Sequence, residues 1–315
     1  MTRNQRKLPV SEIIPVGRRN LGGLMVLSVC VLLSAGSVHA QGNPSDEGSP
    51  KSDWYATGYL QYSQGNYIFG SNTSTFYLVP GLRYESGSWS ASAILPIVSQ
   101  NNNFVTGAGG MLLPHGGSNM NMSSGTGGMM GGNGSSTMGG MSNLVGFGDL
   151  FLTGEYQIIH PDFDESTGGF GTDANSPTLG INVQIKVPTA STSNNFGTGK
   201  FDFGGSLNYR QLFGVYVIMA NAGYLVLGRP AGVAFRNPFS YGGGVGRFFG
   251  NGSLSLALMY QGYTTILSGY PPPNQASVGL NCKTSSEMIW TVLLSKGLTE
   301  TAPSFGITGG FRWSL

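Results

Sequence analysis

The chain has 315 residues, of which 52 are Gly, 16 Lys or Arg and 14 Asp or Glu, for a formal net charge of +2. An average soluble domain holds about 7% Gly and about 25% charged residues, so this composition excludes an ordinary charge-rich soluble enzyme, and 40% hydrophobic content excludes a charge-rich disordered chain. The glycines follow no three-residue period, which excludes collagen, and a single apolar run near the start excludes a bundle of membrane helices of about 20 residues each.

Arg3, Arg6, Lys7, Arg18 and Arg19 stand against one acid, Glu12, in the first twenty positions. An apolar stretch from Leu21 to Leu33 follows, then Ser34-Ala35-Gly36-Ser37-Val38-His39-Ala40. A basic region, a short apolar region and small residues before a cut describe a secretory signal peptide. Cleavage is expected after Ala40, leaving 41–53 as a short periplasmic segment and 54–315 as the folded unit. Eleven basic and thirteen acidic side chains then remain, a net −2, so nucleic acid is not an expected partner. Cys282 is the one cysteine left, and no intramolecular disulfide can form.

From here the chain alternates with a period of two. In 179–187, Leu179, Ile181, Val183, Ile185 and Val187 fall on one phase and Gly180, Asn182, Gln184 and Lys186 on the other. The segment 201–211 repeats this, and so does the end, where Phe305, Ile307, Phe311, Trp313 and Leu315 oppose Ser304, Gly306, Thr308, Gly310, Arg312 and Ser314. One face is apolar and the other polar or small. Twelve strands are expected (ten to fourteen allowed), near 54–62, 75–85, 88–98, 148–159, 177–187, 201–212, 214–227, 239–249, 252–264, 275–283, 287–297 and 304–315. Such lengths suit tilted strands crossing a bilayer. Tight turns at 85–88, 212–214, 249–252 and 283–286 alternate with longer links at 99–147, 188–200, 228–238 and 265–274. That is the pattern of an all-β, closed antiparallel transmembrane barrel with its short turns in the periplasm. The long link 160–176 falls on the short-turn side and marks either an elaborated turn or a miscount by two strands.

An Arg or Lys facing lipid at the midplane costs ~2–4 kcal/mol, so strand charges belong inside. Arg83, Glu85, Asp149, Glu155, Lys186, Asp202, Arg210, Lys283 and Arg312 all fall on the polar phase and are the lumen-facing candidates. Lys296 falls on the apolar phase near a strand end, where its stem can snorkel. Arg247 breaks the pattern, and a bulge at Gly242-Gly243-Gly244 is expected to shift the phase there. The phase of 214–227 stays open. Gly81, Gly180, Gly204, Gly242, Gly244, Gly279, Gly306 and Gly310 fall on the inward phase and are expected to leave space. Trp54, Tyr55, Tyr84, Trp89, Trp290 and Trp313 near strand ends fit interfacial girdles.

Gly146-Phe147-Gly148-Asp149 opens a strand; Lys186-Val187-Pro188-Thr189 ends one; Gly197-Thr198-Gly199, Asp202 and Asn221-Ala222-Gly223-Tyr224 follow in order. This series resembles the outer-membrane β-barrel family of transporters associated with the meta-pathway of phenol degradation, over roughly 146–315. The resemblance implies an outer-membrane barrel and, loosely, transport of small organic compounds. The chain departs from such barrels in ending on Leu315 rather than an aromatic residue and in its Met-rich insertion.

The expected function is an outer-membrane channel or transporter for small, weakly charged organic solutes, aromatic or apolar ones among them. Its expected partners are outer-membrane lipid, the solute and the barrel-assembly machinery, and no cofactor is expected. The Gly/Met-rich loop at 99–147 is the second feature: no Asp, Glu, Lys or Arg occurs from Ser86 to Gly148, yet Met111, His115, Met120, Met122, Met129, Met130, Met138 and Met141 lie there. Thioethers suit Cu(I), so copper capture stands beside a plain flexible loop. Catalysis is not expected, since only His115 and His160 survive cleavage and no acid–His pair stands near a nucleophile. The rival fold is a secreted β-sandwich adhesin.

Overall fold

The computed structural model describes residues 52–68, 72–102, 105–114, 144–159, 163–164, 169–170, 177–230 and 235–315. The expected signal peptide, all of 41–53 but its last two residues, and most of the Met-rich loop lie outside them.

The strands are β1 (Ser52–Gly65), β2 (Thr73–Ser86), β3 (Trp89–Ile94, resuming as Ile97–Gln100), β4 (Leu144–Phe147, resuming as Leu150–Ile159), β5 (Pro177–Val187), β6 (Asp202–Phe213), β7 (Tyr216–Val226), β8 (Phe239–Phe249), β9 (Leu254–Tyr263), β10 (Asn274–Lys283), β11 (Met288–Gly297) and β12 (Phe305–Ser314). Each pairs antiparallel with its neighbours in sequence, and β12 returns to β1 through ten residue pairs, Tyr55↔Ser314 to Gln64↔Phe305. The result is a closed barrel of twelve strands. Closure satisfies the backbone of every strand and leaves no edge.

The burial pattern follows the period of two. On β9 Leu258 is 57% exposed and its neighbour Met259 4%. The outer face carries Leu78, Val183, Leu207, Val245 and Leu294. The inner face carries Gln61, Ser63, Asn182, Gln184, Gln261 and Thr308. An apolar band this continuous is solvated by hydrocarbon rather than by water. A sandwich would bury its apolar face between sheets, and this molecule turns that face outward.

Aromatic pairs mark both rims. Tyr84 packs between Trp54 and Trp89 at 4.9 and 5.2 Å, and Trp290 meets Phe311 at 5.8 Å, all at the tight-turn end. Tyr224 and Phe239 meet at 4.8 Å toward the long-loop end.

β7 places Val217, Asn221 and Leu225 inward and Tyr216, Ile218 and Tyr224 outward. The expected bulge in β8 does not exist: its register with β7 runs unbroken from Tyr216↔Arg247 to Tyr224↔Phe239. Arg247 therefore points outward, two residues from the strand end, with its guanidinium 5.0 Å from the Phe249 ring and 5.5 Å from the Tyr216 ring. Its stem and these rings let the charge reach the interface. In the link 160–176 the described residues Phe163–Asp164 and Gly169–Phe170 pair with each other and not with the wall, and the strand count stays at twelve.

The inward glycines do not leave open space. At Gly242 an added Cβ would meet Gln261 Oε1 at 2.5 Å and Asn221 Oδ1 at 2.7 Å. At Gly310 it would meet the Tyr59 ring. The missing side chains make room for neighbours that pack across the wall.

Candidate functional site

The inner surface of the barrel is the candidate site, and two ion-pair clusters divide it. The first sits at the long-loop end. β4 breaks at Gly148–Asp149, opposite the Leu95–Pro96 break of β3, and the register slips by one residue, from Ile94↔Phe151 to Ile97↔Phe147. Pro96 has no N–H to give β4, and Gly148 N instead donates to Pro96 O at 2.8 Å. The slip reverses the phase, so Phe147 points out while Asp149 points in.

There Lys186 Nζ, fully buried, lies 2.8 Å from Asp149 Oδ2 and 3.1 Å from Asp202 Oδ2, and donates to Thr198 Oγ1 at 2.9 Å. Ala190 N donates to Asp149 Oδ1 at 2.9 Å. Gly109 N and Gly228 N each donate to an Asp202 oxygen at 2.7 Å. Two carboxylates thus share one ammonium, and three backbone N–H groups offset the remaining charge.

Gly109 belongs to a hairpin that the sequence reading missed. Val105–Ala108 pairs with Met111–Pro114, and this ladder joins no wall strand. All eight residues are buried. Val105 and Leu112 pack with Tyr59, Tyr77, Val79 and Phe151. Ala108, Met111 and Leu113 pack with Leu225, Leu227, Phe235 and Tyr263. The hairpin therefore spans the barrel mouth and touches walls on both sides. Burying each of Val105, Leu112 and Leu113 contributes ~1.5–3 kcal/mol. Tyr67, in the link after β1, is fully buried in the first cluster, and that burial pushes its phenol pKa well above the ordinary value.

The absence of alternation hid this hairpin, because both faces of both short strands are covered. A signal was present: Gly109 and Gly110 both take positive φ, 57° and 81°, and a Gly-Gly pair between two apolar runs is a two-residue hairpin turn.

The second cluster lies near the tight turns. Arg83 Nε contacts Glu85 Oε1 at 2.5 Å, and its Nη2 reaches Glu155 Oε2 at 3.3 Å and Ser90 Oγ at 2.8 Å. Arg312 Nη2 lies 3.6 Å from Glu85 Oε2, and its guanidinium stacks 3.8 Å from the Tyr55 ring. Arg210 faces inward, half-buried, on β6. Lys283 pairs across strands with inward Ile289 and shares its face.

The nine candidate charges therefore separate into Asp149, Lys186 and Asp202 at one end and Arg83, Glu85, Glu155, Arg210, Lys283 and Arg312 at the other. Between the two clusters the wall is neutral. Gln61, Ser63, Asn182, Ser206, Asn221 and Ser240 each carry a buried polar atom without a hydrogen-bond partner among the described residues. Of the copper candidates, Met111 lies in the apolar cluster beneath the mouth. His115, Met120, Met122, Met129, Met130, Met138 and Met141 lie outside the described residues.

No curated protein matches this sequence. Among solved structures, an outer membrane channel from Pseudomonas putida F1 superposes with a TM-score of 0.54 at 13% identity, covering 87% of this chain and 100% of that one. The NanC porin gives 0.44 at 10% identity, covering 82% and 100%. The KdgM porin gives 0.43 at 7% identity, covering 82% and 99%. The first of these shows the outer-membrane barrel fold. A family model described as "Putative MetA-pathway of phenol degradation" matches residues 57–315, and the chain belongs to that family.

Proposed function

We propose that the barrel is an outer-membrane channel for small, weakly charged organic solutes. The observation that carries this reading is the hairpin 105–114, an apolar constriction seated at the mouth above a neutral polar wall. An apolar segment across the mouth offers a hydrated ion nothing in place of its solvation shell, whereas an aromatic or short aliphatic molecule loses little beside it. Below the hairpin, the amides and hydroxyls of the wall offer hydrogen bonds to a polar substituent or to water moving with it. The charged groups at both ends are partly paired with one another, and what is left over is small, a net negative charge at the long-loop end and a net positive one at the tight-turn end. The similarity to a known outer membrane channel supports the reading through the shared fold.

In planar bilayers, purified protein should form channels of low conductance whose ion current phenol or benzyl alcohol reduces more strongly than a hydrophilic sugar of similar size does. Absence of channel current, or a current that phenol and the sugar reduce equally, would overturn the proposal.

A further inference from the structure

At the tight-turn end, three arginines face two glutamates. Glu85 is shared between Arg83 and Arg312, and Glu155 is taken by Arg83. Arg210 has no contact ion pair: among the described residues no carboxylate lies within 4.0 Å of its guanidinium, and Glu155 acts on it only at longer range. A half-buried guanidinium carries five donors in a plane that matches a carboxylate.

The neighbours of Arg210 on the wall differ on its two sides. Toward β5 and β4 stand Thr178, Gly180 and Glu155, the edge of the charged sector. Toward β7, β8 and β9 the same row runs Arg210↔Met219, Met219↔Gly244 and Gly244↔Met259. Gly244 has no side chain, and an added Cβ would meet Met259 Cγ at 2.9 Å and Met219 Cε at 3.4 Å, so both methionines reach over it. The adjacent inward row is apolar as well, with Val217 beside Gly246 and Ala257. Arg210 thus stands at the seam between a charged and an apolar sector of one inner wall. Methionine adapts to flat or irregular apolar shapes.

We propose that Arg210 and the methionine row form a subsite for small monocarboxylates with an apolar body. The carboxylate pairs with the guanidinium and the body lies along Met219, Gly244 and Met259. A single negative charge is the complement of this guanidinium, and an otherwise apolar body keeps small the solvation that the solute must lose at the hairpin. This rests on the channel reading and narrows its solute class.

The test compares benzoate with benzyl alcohol, which share a ring and differ in charge, in proteoliposomes holding the wild type, Arg210→Gln or Arg210→Lys. Heat-modifiable migration first confirms that each variant is folded. Arg210→Gln should lower benzoate uptake about tenfold, the scale of a lost charge-assisted hydrogen-bonded pair, and leave benzyl alcohol uptake unchanged. Arg210→Lys, a point charge without the fork, should restore benzoate uptake in part. A folded Arg210→Gln that passes benzoate as well as wild type, or that loses both solutes equally, overturns the subsite and leaves the channel intact. Wild type that passes neither solute faster than protein-free liposomes do overturns the channel reading itself.

Discussion

Lys186 is the clearest case of one side chain holding several elements. Its ammonium joins Asp149 of the β4 break to Asp202 at the start of β6, and Asp202 in turn holds Gly109 of the hairpin and Gly228 after β7. Lys186→Met keeps the volume and removes the charge, so two buried carboxylates face each other with no cation. Unfolding in urea from detergent micelles should show a loss of ~3–5 kcal/mol. Adding Asp149→Asn should recover part of it, since one carboxylate with its backbone donors then remains. A double variant no more stable than the single one would show that repulsion is not the cause. Arg247 gives the converse test on the outer face. Its charge sits at the interface between Tyr216 and Phe249, so Arg247→Ala should cost under about 1 kcal/mol. Val245→Arg, one outward position further into the strand and 55% exposed to lipid, should cost more, toward ~2–4 kcal/mol.

Among the elements, those with one lipid-facing side were legible and those covered on both sides were not. β5, β6 and β12 announce themselves because hydrocarbon selects one phase and the lumen the other, as in Ile181, Val183 and Ile185 against Asn182, Gln184 and Lys186. The inward phase of Arg83, Glu155 and Arg312 follows from the same selection. What the alternation could not carry is pairing: that Glu85 serves both Arg83 and Arg312 depends on β1, β2 and β12, whose residues lie far apart in sequence. The β4 slip was hidden for a different reason, since it is forced by Pro96 on another strand. The hairpin 105–114 was hidden because its eight residues are all buried. Replacing 105–114 with a Gly-Ser linker of equal length should raise single-channel conductance in planar bilayers several-fold and reduce discrimination against hydrophilic sugars. Asp202→Ala, which removes the acceptor for Gly109 N, should act in the same direction and more weakly, because the apolar contacts remain. Unchanged conductance in the linker variant would place the constriction elsewhere.

The whole molecule owes its stability to closure more than to any packed centre. The inner face mixes neutral polar residues with two apolar clusters around the hairpin, and the outer face contributes only when lipid or detergent covers it. The cooperative element is therefore the ring of strand ladders, joined where β12 meets β1 across ten residue pairs. Removing 305–315 would free the β1 and β11 edges together, and each unpaired N–H or C=O in hydrocarbon costs several kcal/mol. Eleven strands cannot recover this by pairing β11 with β1 directly. The register from β11 to β12 and on to β1 fixes Trp290 against Phe311 and Phe311 against Gly58, so a direct join must repack an outer face shaped around that ring. Refolded into detergent, the full chain should migrate faster unboiled than boiled on a denaturing gel. The chain lacking 305–315 should show one band at the boiled position. A shifted unboiled band for the truncated chain would mean that the barrel closes without its last strand and that closure is not the source of its stability.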